Sequence, residues 1–147
     1  MSDDGTHIVC PHCGGVNRIA AGRDAGEGKC GKCHNPLFTG QPVNVDAAAF
    51  DRHVLRNDIP VVVDFWADWC GPCHAMAPAY ARAAAEIEPR LRFLKLDTEA
   101  EPAVSARFGI RSIPTLIVFR NGRAVAQQAG AMGDQQLRSW LQQSLGG

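Results

Sequence analysis

Three C-x-x-C pairs, Cys10/Cys13, Cys30/Cys33 and Cys70/Cys73, account for all 6 cysteines of the chain. Two thiols at this spacing can share one metal ion or close one small redox disulfide, which restricts the fold more than any other feature of the sequence. The competing reading is a secreted scaffold knit by three disulfides. Such scaffolds separate their half-cystines more irregularly and lack a large apolar core. Here apolar residues make up 46% of 147 residues, and the dense apolar runs fall after residue 42. The close pairs therefore point to metal ligation and redox chemistry in a reducing compartment.

Composition changes near Gln41-Pro42, and two units are expected, 1–41 and 42–147. The first has only scattered apolar residues (Ile8, Val9, Val16, Ile19, Leu37, Phe38) and needs a staple to fold. CPHC, 16 residues and CGKC together have the spacing of a tetrahedral site in which Cys10, Cys13, Cys30 and Cys33 hold one Zn2+, and a set of four thiolates also accepts iron. Binding free energy then becomes folding free energy. Gly14 and Gly31 are expected to permit the tight turns beside the sulfurs. His12 and His34 are expected to face solvent, since four thiolates complete the shell. Lys plus Arg, at 15, equals Asp plus Glu, at 15. Without a basic stripe, neither a nucleic acid nor an anionic membrane is an expected partner. The run Ile59–Ala67 is too short to span a bilayer and contains Asp64. The opening residues MSDDGTH show no basic region followed by an apolar stretch, so a cytoplasmic location is expected.

The second unit reads as alternating strands and helices. Val43–Val45 is a short strand, and Asp46 caps a helix to about Arg56 with Phe50, Val54 and Leu55 on one face. Pro60–Trp66 has the density of a central strand, and Pro72–Glu88 is an alanine-rich helix that Pro78 should kink. A strand at 91–96 and a short helix from Glu101-Pro102 to about Phe108 follow. Strands 115–119 and 124–128 join through Asn121-Gly122, a hairpin signal. Asp134 is the expected cap of a last helix with apolar face Leu137, Trp140, Leu141 and Leu145. The order β-α-β-α-β-α-β-β-α describes an α/β domain, a mixed central sheet flanked by helices.

The chemistry is concentrated in VVVDFWADWCGPCHAM. Cys70 falls where a buried strand gives way to a helix, and unpaired N–H groups and the helix dipole favour its thiolate. It is read as an exposed nucleophile that attacks a substrate disulfide, with Cys73 one turn later as the resolving thiol. Gly71 allows the tight turn, and Pro72 presets the first helical turn. Asp64, in the middle of VVVDFW, is read as interior, where burial raises its pKa and suits it to exchange a proton with Cys73; a solvent-facing edge position is the alternative.

This set of residues resembles the thioredoxin family, whose motif WCGPC stands here as Trp69-Cys70-Gly71-Pro72-Cys73, and the resemblance runs through 42–147. It implies a thioredoxin fold. It also implies Asp64 as the buried acid, Lys95 as its lysine neighbour, and a cis-proline loop at Ile113-Pro114 facing the cysteines. Trp66 and Gly130 would line the groove for an extended substrate. With the ribbon appended, the chain resembles most the zinc-containing bacterial thioredoxins. The implied activity is reduction of protein disulfides by a monomer recycled by thioredoxin reductase. With no nucleotide motif in the chain, neither flavin nor nicotinamide is expected as a cofactor. His74 departs from the family's frequent lysine and is expected to be a solvated helix residue. For the ribbon, a structural role and a redox-responsive zinc switch both stand. An oxidant role is disfavoured by the Gly-Pro between the cysteines. A binding module is separated from an enzyme by replacing both active-site cysteines with serine.

Overall fold

Each half of the chain stabilises itself differently. The computed structural model describes residues 5–146; positions 1–4 and 147, the ends of the two expected units, lie outside the described residues. Near the N-terminus, β1 (Thr6–Val9) pairs antiparallel with β2 (Val16–Ile19), and a bridge joins Lys29 to Pro36. Among the described residues, its buried cluster is Ile8, Cys10, Cys30, Leu37 and Phe38. So few side chains cannot offset the conformational entropy of ordering the segment, which leaves the work to the cysteines and to docking.

The rest builds β3 (Val43–Asn44), α1 (Ala47–Arg56), β4 (Val61–Trp66), α2 (Gly71–Ile87), β5 (Arg92–Asp97), α3 (Pro102–Arg107), β6 (Thr115–Arg120), β7 (Arg123–Ala129) and α4 (Asp134–Gly146). The sheet order is β3-β5-β4-β6-β7, with β3, β5 and β4 parallel and β6 and β7 antiparallel. β4 is central and buried almost throughout, as its continuous apolar run requires. Alternate residues serve the two faces. Val62, Phe93, Leu116 and Val118 pack under α2 and α4. Val61, Val63, Phe65, Ile117 and Phe119 pack against α1 and α3. Tyr80 on α2 ties its own face down, its hydroxyl reaching the carbonyls of Val62 (3.2 Å) and Leu94 (2.7 Å).

Three local expectations need correction. Leu55 is 66% exposed; the inward residues of α1 are Phe50, His53 and Val54, and the buried C-cap Asn57 continues their stripe, so two of the four are polar. Asp134 is not the cap of α4. The carbonyl of Gly133 accepts the first helical bond, from Leu137 (2.9 Å), while the Asp134 carboxylate takes two bonds from Arg82. The tight turns near the sulfurs use Gly14 (φ +76) and His34 (φ +68), not Gly31.

The ribbon is fastened to the sheet by a buried polar seam. Arg92, 1% exposed, donates from Nη2 to the carbonyls of Val9 (3.0 Å) and Leu37 (2.9 Å) and lies over the Phe38 ring. Glu88 stands 3.8 Å from its Nη1 and accepts from Gly40 N–H (2.9 Å). Asn57 Oδ1 accepts from Val9 N–H (2.8 Å), so its amide nitrogen faces His53 Nδ1 (3.0 Å) as donor. Burial, with Arg92 and Arg52 nearby, pushes His53 down to about 3, leaving a neutral ring that accepts at Nδ1. Burial also pulls Arg92 down to about 10, which still leaves it charged at neutral pH.

Candidate functional site

Cys70 is the N-cap of α2. Its sulfur accepts from Cys73 N–H (3.2 Å) and is joined to Cys73 Sγ in a disulfide. Gly71 opens the helix and Pro72 occupies its first turn, where an N–H would have no intrahelical partner. In this oxidised form Cys70 is not the exposed thiol expected from the sequence. It is 3% exposed, because the disulfide folds its sulfur back against Cys73 among Ala67, Trp66 and Ile113. Trp69 beside it is 68% exposed.

The Ile113–Pro114 peptide bond is cis, and Ile113 packs on the disulfide with its carbonyl oxygen 3.7 Å from Cys70 Sγ. Gly130, at φ +98, donates its N–H to Pro114 O (2.8 Å), fixing the end of β7 beside the cis loop. A second cis bond, before Pro89, has no counterpart in the sequence reading.

Asp64 is 1% exposed and lies on the face of β4 shared with Val62, under α2. Burial raises its pKa from 3.8 to about 7, and the charge of Lys95 offsets part of the rise. Lys95 is its register partner on β5, with Nζ 4.4 Å from the centroid of Trp66. Asp64 Oδ1 and Trp66 Nε1 are buried without a hydrogen-bond partner in the protein. His74 is not merely solvated: its Nε2 is 2.6 Å from Asp68 O and its ring meets Trp66 edge-on.

The other four cysteines converge. Their sulfurs all lie within 4.8 Å of one another, with Cys10–Cys33 at 3.6 Å and Cys13–Cys30 at 3.5 Å. A tetrahedron with zinc–sulfur bonds of about 2.3 Å has edges of about 3.8 Å, so the set fits. Two knuckles of matching geometry build it. Cys10 Sγ accepts from the N–H of His12 and Cys13, and Cys30 Sγ from those of Lys32 and Cys33. The carbonyls of Cys10 and Cys30 take N–H from the left-handed residues Gly14 and His34. The N–H donors hold Cys30 down to about 5 and lower Cys33, whereas burial pushes Cys10 up to about 11. A metal cation would draw off the proton that burial keeps on Cys10. His12 and His34 are exposed and outside the cluster.

A disulfide capping a helix and packed against a cis-proline loop, beside a mixed sheet whose central strand carries a buried acid, defines a thiol–disulfide oxidoreductase. Comparison with known proteins agrees. The thioredoxin family model matches residues 41–143, and the model described as "Thioredoxin 2, N-terminal" matches residues 9–35. Thioredoxin C-3 of Corynebacterium nephridii is 41% identical over 94% of both chains. Thioredoxin of Haemophilus influenzae is 39% identical over 70% of this chain and 96% of its own. Thioredoxin of Porphyra purpurea is 43% identical over 66% and 91%. This chain belongs to the thioredoxin family and carries a four-cysteine zinc-ribbon module at its N-terminal side. Among the described residues, no helix is long and apolar enough to cross a membrane.

Proposed function

We propose that the protein reduces disulfides in other proteins, with Cys70 as nucleophile and Cys73 as resolving thiol. The observation that carries this is Cys70 at the N-cap of α2, its sulfur taking the Cys73 N–H at 3.2 Å. In the reduced protein that N–H and the helix dipole stabilise a thiolate on Cys70. The thiolate attacks one sulfur of the substrate disulfide, forming a mixed disulfide and releasing one substrate thiolate. Cys73 then gives up its proton and attacks Cys70 Sγ, which closes the Cys70–Cys73 disulfide and releases the second substrate thiolate. Asp64, poised near neutrality by burial, accepts the Cys73 proton through water. Lys95 tempers the Asp64 pKa, while Gly71 and Pro72 shape the turn. Trp69 supports the active site beside Cys70, and Trp66, Ile113, Pro114 and Gly130 line the groove where an extended chain pairs with backbone beside the cis bond.

Two electrons and two protons leave per cycle, and an external reductant must restore them. The family resemblance supports thioredoxin reductase, fed by NADPH, with this chain itself holding neither flavin nor nicotinamide. Cys10, Cys13, Cys30 and Cys33 hold one Zn2+, which supplies cross-linking to the ribbon. The fit of the four sulfurs to a tetrahedron supports that reading. We further infer units at 1–41 and 42–147, a monomer working in electron transport in the cytoplasm, and no nucleic-acid or membrane partner, given balanced charge. The test is reduction of insulin disulfides with thioredoxin reductase and NADPH, on protein of measured zinc content. Turnover that disappears in Cys70→Ser supports the reading, and no turnover by the wild type overturns it.

A further inference from the structure

We propose that His74 is a positioning residue for polypeptide substrates: its imidazole pins the corner bearing Trp69 to the helix bearing both cysteines. The inference rests on the disulfide-reductase reading above. Residues 67–70 make a turn closed by Cys70 N–H on Ala67 O (3.1 Å). The Asp68 carbonyl belongs to the middle peptide of that turn. The closing bond does not use this group, and its orientation is what separates one turn type from another. His74, in the first turn of α2, places Nε2 2.6 Å from that oxygen. A carbonyl can only accept, so Nε2 carries the proton, in the neutral ring and in the imidazolium alike. The same ring meets Trp66 edge-on, centroids 6.0 Å apart at 84°, and Lys95 Nζ lies 4.4 Å from the centroid of that indole.

One side chain thus braces two points of the strand-to-helix corner, the Asp68 peptide and the Trp66 ring. Trp69 follows Asp68 directly, and at 68% exposure it has little packing of its own to fix it. Its direction depends on the peptide unit that His74 holds. An exposed tryptophan next to a reactive disulfide offers an incoming chain a large, stiff contact. Holding it in place before encounter removes an ordering cost from binding and leaves the sulfur chemistry unchanged. The signature is therefore a KM effect confined to substrates large enough to reach Trp69.

The experiment compares wild type, His74→Ala and His74→Gln in insulin reduction, and in single-turnover reaction of the reduced proteins with a small aromatic disulfide. Thermal melts confirm that each variant is folded. His74→Ala is expected to raise KM for insulin about threefold to tenfold, with kcat and the small-disulfide rate within about twofold of wild type. His74→Gln, whose amide N–H can reach the Asp68 oxygen, is expected to recover most of the loss. An unchanged KM in His74→Ala overturns the proposal. So does a fall shared equally by kcat and the small-disulfide rate, or a His74→Gln variant no better than alanine. If wild type itself leaves insulin intact, the reductase reading has failed and this inference goes with it.

Discussion

Replacing Arg92 by methionine isolates what joins the ribbon to the redox domain. Methionine keeps most of the stem volume and removes the guanidinium. Val9 O and Leu37 O then lose their donor inside the protein, and each buried, unpaired carbonyl costs about 1–3 kcal/mol. Glu88, whose side chain is 3% exposed, loses the cation 3.8 Å away and keeps only the Gly40 N–H. Its pKa is already raised by burial, so it will take up a proton and avoid part of the penalty. The sum is about 3–5 kcal/mol, in line with breaking a buried pair from one side and a large share of a typical domain's stability. Two reporters follow the two parts separately. All 3 tryptophans, Trp66, Trp69 and Trp140, lie beyond residue 42, so their fluorescence reads the redox domain. A metallochromic indicator reads release from the four cysteines. In a urea titration of oxidised protein, wild type should show one coincident transition. Arg92→Met should release metal at lower urea, ahead of the fluorescence change. A variant within about 1 kcal/mol of wild type, with both signals still coincident, refutes the reasoning.

Asp64→Asn should stabilise the fold, increasingly so as pH rises. The unfolded carboxyl ionises near 3.8 and the folded one only near 7, so the cost of burying Asp64 grows between these values and levels off above. That gap is worth about 4 kcal/mol, and urea melts at pH 4.5 and pH 8 should show the variant's advantage widening towards that figure. Cys73→Ser should accumulate a mixed disulfide between Cys70 and substrate, visible by mass spectrometry, and Cys70→Ser should form none. His34→Gly should raise thermal stability by about 1 kcal/mol by relieving a left-handed backbone, while Gly14→Ala should lower it by about 1–2 kcal/mol, with metal bound in both cases.

The redox domain is legible in the sequence because local signals agree with global ones. Asn121-Gly122 marks a hairpin and sits in the structure with φ of +54 and +80, and VVVDFW marks a strand that is central. The four ribbon cysteines are legible from spacing alone. The polar seam is not. His53 and Asn57 look like surface residues of an amphipathic helix, and Leu55 like a core residue, until the ribbon arrives to cover one stripe and leave the other wet. Arg92 lies in a run whose other members read as an ordinary strand, and nothing local shows that two carbonyls from residues 9 and 37 will meet it. The role of His74 is hidden for the same reason: its partner is a backbone oxygen, and backbone leaves no mark in composition.

Pro78 has a consequence for the working cycle. Lacking an N–H, it leaves the His74 carbonyl without its helical donor and loosens α2 between the cysteine turn and the part that Tyr80 anchors to β4 and β5. Opening the disulfide moves two sulfurs from about 2 Å apart to ordinary contact distance. A helix one hydrogen bond short at this point gives more readily there than along the rest of its length. Beyond that point the Tyr80 hydroxyl ties α2 to two strands at once, so the sheet is coupled to the far part of the helix and not to the turn that carries the sulfurs.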